Sequence, residues 1–260
     1  MFFLDLNNGM KPFFTIITAT FNSEKTLERT IKSVLNQSFD NFEYIIIDGN
    51  STDNTLSIIK RFEDEFASKK ICYKFISEKD NGIYDAWNKG LSVASGEWIS
   101  FLGSDDYYLE KALEKYERVI GKNKFNYVHS RVNLVNEKGA VLKILGSKIE
   151  KRQFYNHMNI AHVGSFHDKS LFVQERFSLK YKSASDYFFF LKNFEKINSF
   201  YFEDITAVMQ HGGISTNVNK ALKEALWVKI DSKKRNKYLC YLDFFIAHLK
   251  HFLVNYVRKI

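Results

Sequence analysis

The chain has 260 residues, 45% hydrophobic and 16% aromatic, enough to bury a large α/β core and too apolar for a disordered protein. Its net charge of +8 is uneven: between residues 220 and 260 ten Lys or Arg face three acids, a net +7, so the body is close to neutral. Two cysteines, Cys72 and Cys240, cannot form a disulfide framework, and no run of about 18 apolar residues is present to span a bilayer.

The first predicted strand is Phe13 to Thr20 (FFTIITAT), followed by a helix with Leu27, Ile31, Val34 and Leu35 at helical spacing. A second strand, Phe42 to Ile47, runs into Asp48-Gly49-Asn50-Ser51-Thr52-Asp53 and a helix carrying Leu56, Ile58, Ile59 and Phe62. The third, Ile71 to Ile76, leads through Ser77 to Gly82 into a helix from Ile83 to Ala94, and Trp98 to Leu102 is the fourth. Strands alternating with helices imply a parallel sheet with right-handed crossovers, whose strand ends emerge on one ligand-binding edge. After Leu109 the rhythm changes to a helix at about 109–120 and a hairpin of 125–135 with 140–145. A strand-poor region, 149–202, is expected to wall a second substrate. No internal repeat is found, and residues 1–10 lack the basic start and apolar run of a signal peptide, so a cytoplasmic location is expected.

Gathered at the predicted edge are Thr18, Phe21, Asp48, Asp80, Asn81, Asn88, Asp105 and Asp106, rich in carboxylates and poor in glycine. Neither a G-x-G-x-x-G turn nor a phosphate-cradling P-loop is present, so phosphates would be held through a cation on the adjacent Asp105 and Asp106. All-oxygen ligands suit Mg²⁺ or Mn²⁺, and no Cys or His cluster stands at zinc spacing. Each residue also has a plainer use: Ser-Asp-Asp after a strand is an ordinary helix start, and Asp80-Asn81-Gly82 is a turn signal.

TATFN at 18–22, SVLNQSFDNFEYIIIDGNSTDNT at 33–55, SEKDNGIYDAWNKGLSVASGEWISFLGSDD at 77–106 and HGGIS at 211–215 resemble family 2 glycosyltransferases of the GT-A fold. Within that family, DNGIYDAWNKG resembles bacterial enzymes that build capsular, exopolysaccharide or lipopolysaccharide chains. The resemblance implies a Rossmann-like, mostly parallel α/β sheet with helices on both faces, over a domain of residues 1–217. Its nucleotide-sugar half would be about 11–108 and its acceptor half about 109–217. It places Phe21, flanked by Thr18 and Asn22, against the nucleobase, with Thr18, Ala19, Asp48, Asp80, Asn88 and Asp105 as donor-binding residues. Where the family commonly has Asp-Asp, this chain reads Asp48-Gly49. Asp106 would bind the cation bridging the diphosphate, with His211 reaching the diphosphate or completing the metal shell. Asp186 matches the position of the catalytic base, and His162, beside His167, stands near the acceptor site.

The resemblance further implies a nucleoside-diphosphate sugar, UDP-linked, as donor, a lipid-linked saccharide as acceptor, and inversion of the anomeric centre. Beyond it, residues 218–260 form a basic amphipathic tail in which Tyr238, Tyr241, Leu242, Phe245, Leu249, Phe252, Leu253 and Tyr256 share one helix face, with Trp227 upstream. Such a helix is expected on an anionic membrane surface, on the inner face of the cell membrane; packing on the body or on a second subunit is the other use of that face. Nucleic acid is not expected, because no recognition fold accompanies the charge. Two rival functions are a nucleotidyltransferase, which would need a glycine-rich basic loop where TATFNSE stands, and a non-catalytic nucleotide-sugar-binding or membrane scaffold, which gives Asp105, Asp106 and Asp186 no reason to occur together.

Overall fold

The computed structural model describes residues 2–4, 11–121, 124–212 and 218–257, without the side chains of 2–4 and 254–257. After a short edge strand β1 (Phe2–Leu4), the expected strands are present as β2 (Phe14–Thr20), β3 (Phe42–Asp48), β4 (Cys72–Ser77) and β5 (Trp98–Gly103). They pair in parallel in the order β4-β3-β2-β5. Their sequences are near-continuous apolar runs because both faces are covered. Phe14, Ile16, Tyr44 and Ile46 meet α1 (Leu27–Leu35), α2 (Thr55–Arg61), α3 (Glu63–Ser68) and α5 (Ala112–Ile120) on one face; Ile17, Ile45, Ile47 and Phe101 meet α4 (Ile83–Val93) and the later helix α7 (Ser185–Asn193) on the other. Glu43, fully buried on β3, accepts from Thr15, Lys74 and the backbone N–H groups of Ser95 and Gly96, tying the turn before β5 into the sheet.

The expected hairpin is β7 (Tyr127–Val135) with β8 (Val141–Leu145), antiparallel. The sheet extends further than the sequence indicates, through β6 (Tyr107–Tyr108), β9 (Ser165–Asp168) and β10 (Ser199–Gln210), in the full order β1-β4-β3-β2-β5-β9-β7-β10-β6. β9 is a four-residue antiparallel splice between β5 and β7, within the stretch read as strand-poor. It is too short for a period-2 signal, and pairing on both edges sustains it instead. β7 and β10 run in the direction of the first four strands, so the described sheet is mostly parallel.

After the short helix α6 (Lys151–Phe154) and α7, the chain ends in α8 (Val218–Ser232) and α9 (Lys237–Val257). α8 packs on the body of the protein. Val228 of α8 is fully buried in one cluster with Tyr127, Phe154, Tyr187 and Phe190, and Lys229 donates to the carbonyl of Asn156. Most of the exposed apolar surface of the tail belongs to α9, on which Tyr238 is 71% and Phe245 74% exposed, with Leu242, Leu249, Phe252 and Leu253 also outward; Trp227 of α8 is exposed as well. Tyr256 lies outside the described side chains. Among the described residues no helix is long and apolar enough to cross a membrane.

Candidate active site

The loops after β2 and β3 are bound to each other. Gly49 N–H donates to Thr20 O at 2.9 Å, Asn22 N–H to Ser51 Oγ at 2.8 Å, and Thr52 N–H to Asn22 Oδ1 at 2.9 Å. Asn22 and Asn50 take left-handed backbone, φ 48° and 64°, which Asn tolerates better than most residues and which turns both loops out of the sheet. Ser23 Oγ then meets Ser104 Oγ at 2.9 Å, joining this pair of loops to the one after β5.

Phe21 projects from this frame 60% exposed. A Cβ added at Gly49 would lie 3.3 Å from the Phe21 ring and only 2.7 Å from Asp80 Oδ2. The Asp80 carboxylate fills the space a side chain at 49 would occupy, so a residue with a Cβ there would push that carboxylate aside. Asp80 Oδ1 in turn accepts from Gly82 N–H at 2.8 Å, holding the turn into α4. Asp48 is fully buried, its carboxylate taking bonds from Ser51 and from Ser77 Oγ (2.6 Å) at the end of the next strand. Phe21, Asp48, Gly49 and Asp80 are thus brought together, and Ala19 near the end of β2 is half-buried.

Thr18 and Asn88 are used otherwise. Thr18 points into the core, where its hydroxyl accepts from Tyr44 at 3.0 Å. Asn88 closes a two-point clamp on a distant loop: Nδ2 donates to Phe177 O at 2.8 Å, and Phe177 N–H donates to Asn88 Oδ1 at 3.0 Å.

Asp105 and Asp106 fold back over Gly103, where an added Cβ would sit 3.1 Å from Asp105 Oδ1 and 2.6 Å from Asp106 Oδ2. No larger residue could support both carboxylates so closely. Asp106 is 8% exposed and accepts from Gln210 N–H at 2.8 Å. Burial, and then the neighbouring Asp105 charge, push its carboxyl up to about 8, and burial also raises Asp105. Arg29 is the nearby cation, but its guanidinium donates to Asp105 O and lies 4.5 Å over the Tyr107 ring rather than pairing with the carboxylates. Two crowded, under-compensated oxygen ligands suit a hard divalent cation whose other ligands come from a diphosphate and water.

Among the described residues no third His, Cys, Asp or Glu joins this pair as a metal-holding group. His211 is exposed at the end of β10, its N–H on Val135 O at 2.8 Å, one residue beyond the Gln210 that binds Asp106. Residues 213–215 of HGGIS lie outside the described residues.

Asp186 stands in the first turn of α7, half-buried, and its Oδ1 accepts from Tyr84 Oη at 3.0 Å and from Tyr187 N–H at 2.8 Å. Tyr84 opens α4 just after the Asp80 turn, so this contact brings α7 to the carboxylate edge. Burial raises the Asp186 carboxyl above the usual range, making it a stronger base once ionised. The loop before α7 is fixed from α8, where Glu224 accepts from the N–H groups of Lys182 (2.8 Å) and Ser183 (2.6 Å) and from Ser183 Oγ. Motif reading does not find Glu224, because its partners lie 41 and 42 residues away with no fixed spacing. His162 stacks on Trp87 (centroids 4.9 Å apart) and lies 5.1 Å from His167; burial keeps both imidazoles neutral, pushing His167 down to about 3. A shallow depression lined by Phe13, Trp98, Phe125 and Asn198 lies at the opposite ends of β2 and β5, away from these carboxylates.

Residues 15–180 match the family model described as Glycosyl transferase family 2. A PGL/p-HBAD biosynthesis glycosyltransferase of Mycobacterium bovis is 28% identical over 217 residues, 80% of either chain. The Escherichia coli UDP-Glc:alpha-D-GlcNAc-diphosphoundecaprenol beta-1,3-glucosyltransferase WfgD is 28% identical over 178 residues, 68% of either chain. Among solved structures, S. aureus TarS in complex with UDP-GlcNAc shares the fold with a TM-score of 0.69 at 20% identity, covering 93% of this chain and 73% of that one. Mannosyltransferase PcManGT from Pyrobaculum calidifontis, in complex with GDP-Man and Mn²⁺, does so with a TM-score of 0.64 at 16% identity, covering 88% and 66%. The mostly parallel sheet with its acidic edge is of GT-A type, and this chain belongs to glycosyl transferase family 2 as a glycosyltransferase.

Proposed function

We propose that the enzyme transfers a sugar, with inversion, from a UDP-linked donor to a hydroxyl of a lipid-linked saccharide during surface polysaccharide synthesis, and that it requires Mn²⁺ or Mg²⁺. The observation that carries this reading is a convergence on one sheet edge: exposed Phe21 over Gly49 and Asp80, the crowded Asp105 and Asp106 pair, and Asp186 held to the same edge by Tyr84. The lipid-linked acceptor is carried over from the name of the E. coli relative.

In this reading Phe21 stacks on the nucleobase, Asp48 and Asp80 hold the nucleoside, Asp105 reaches the ribose and Asp106 is the metal ligand, with His211 beside it. When bound there, the divalent ion supplies positive charge for the departing diphosphate. Asp186 accepts the acceptor hydroxyl proton as that oxygen bonds to the anomeric carbon; the carbon–oxygen bond to the diphosphate breaks, and its electron pair leaves on the diphosphate. Attack from the side opposite the leaving group inverts the centre.

Peripheral attachment to the inner face of the membrane is part of the same proposal. The outward apolar face of α9 is flanked by the exposed Lys233, Lys234, Lys237 and Lys250, which attract an anionic lipid surface and repel a second basic copy of the helix. The test is a panel of nucleotide sugars with Mn²⁺ and an undecaprenyl-diphosphate-linked saccharide, scored for released nucleoside diphosphate and for the anomeric configuration of the product by NMR. Release that matches an Asp106→Asn control, or a retained configuration, would overturn it.

A further inference from the structure

We infer that Tyr84 is the positioning residue of Asp186: its hydroxyl fixes one carboxylate oxygen and leaves the other facing the acceptor. The inference rests on the reading of Asp186 as the base. Both bonds to the carboxylate from other residues, Tyr84 Oη at 3.0 Å and Tyr187 N–H at 2.8 Å, end on Oδ1, and Oδ2 takes none from the described residues. Asp186 is only half-buried, so part of the residue reaches solvent. The phenol has little freedom. Tyr84 is 6% exposed, edge-on to Trp87 (centroids 5.3 Å apart, planes at 85°) and 5.7 Å from Phe177, whose loop Asn88 clamps.

This contact joins residues 102 positions apart, one opening α4 beside the donor-side Asp80 turn and the other opening α7. It joins side chain to side chain, where the neighbouring Asn88 and Lys182 contacts reach backbone groups. A phenol donating to a carboxylate favours the ionised form and so offsets the burial that raises Asp186. The other titratable or charged groups around α7 oppose or leave that balance alone. Glu224 on α8 disfavours the charge; Tyr127 on β7 and Tyr187 are held neutral by burial, as are His162 and His167 behind α7. On the preceding loop, Lys182 donates its Nζ to Asn81 O and Lys180 pairs with Asp231.

Tyr84→Phe keeps the ring and removes the bond. It is expected to lower kcat for transfer by roughly 10 to 100-fold, to leave the donor KM unchanged, and to move the acid limb of the kcat/KM profile upward by about one pH unit. Fluorinated tyrosine incorporated at position 84 keeps the shape with a more acidic phenol and should move the limb downward, so the inference stays testable if the Phe variant folds poorly. An unchanged rate and pH profile in either variant would reduce Tyr84 to core packing. Asp186→Asn in the same assay separates the two claims. If it retains full transfer, the base assignment fails and the inference with it; if it is inactive while Tyr84→Phe behaves as wild type, only the inference fails.

Discussion

The carboxylate edge of the sheet and the wall around Asp186, proposed above to serve donor and acceptor, are held differently. At the edge Asp48 is fixed by Ser51 and by Ser77 at the neighbouring strand end, and Asp106 by the backbone N–H of Gln210 at the end of β10. On the wall, Asp186 depends on single side chains reaching across long stretches of sequence: Tyr84 from α4, Glu224 from α8, and Asn88 on the Phe177 loop. In the proposed reading the edge neutralises and releases a diphosphate, while the wall, built on loops, selects the acceptor.

The largest effect should come from the edge. Asp106→Asn is expected to abolish transfer and weaken donor binding, measured as nucleoside diphosphate release and donor affinity with Mn²⁺. The same change should stabilise the metal-free protein. In the fold the Asp106 carboxyl is held at about 8, against about 3.9 in an unfolded chain. Between those values the folded state binds more protons than the unfolded one, so ionising Asp106 costs stability increasingly as pH rises from about 4 to about 8. In chelator, Asp106→Asn should therefore melt above wild type at pH 8, with the difference closing towards pH 4. A lower melting temperature at pH 8 would show that the pair is compensated without metal.

Next comes the wall. Asp186→Asn should reduce transfer by about 10² to 10⁴-fold while donor KM is unchanged, the signature of a base rather than a binding residue. Because burial raises this carboxyl, the acid limb of the wild-type kcat/KM profile should lie above the ordinary carboxylate range. A fall in donor affinity at constant kcat would move Asp186 to the donor side and erase the contrast between the two regions.

A smaller effect is expected from Glu224→Ala, which strips three acceptor bonds from the loop before α7. It should cost roughly 1–3 kcal/mol in urea unfolding and lower transfer about tenfold, with Glu224→Gln intermediate. Donor affinity, set at the edge, should hold. Should Glu224→Ala instead weaken the donor as much as it slows transfer, the edge and the wall act as one unit.

The smallest effect on catalysis in solution is expected from α9. Replacing Leu242, Phe245 and Leu249 together by Ser should leave transfer to a water-soluble acceptor unchanged and lower affinity for anionic vesicles by at least about tenfold, read by cosedimentation at low salt. α8 cannot be removed in the same test, because its buried Val228 and its Glu224 belong to the wall. Equal sedimentation of variant and wild type would take the membrane role from α9.

The sequence by itself determined β2 to β5, their helices, the hairpin and the acidic edge, since apolar runs, helical spacing and strand-end carboxylates are local signals. The basic, apolar-faced α9 was legible for the same reason. What only the tertiary structure decided depends on distance in the chain. Thr18 turns inward because strand alternation sets it on the Tyr44 side, and Asn88 is spent on a backbone 89 residues away. Gly49 stands against Asp80 through the approach of two loops, and α8 joins the core because its few buried side chains fit the cluster of α7. Two of the basic residues counted towards the tail, Lys229 and Arg235, are drawn inward to Asp243, pinning α9 to α8. Composition records how many charges and apolar groups a segment carries; which of them face water is settled by what the rest of the chain brings beside them.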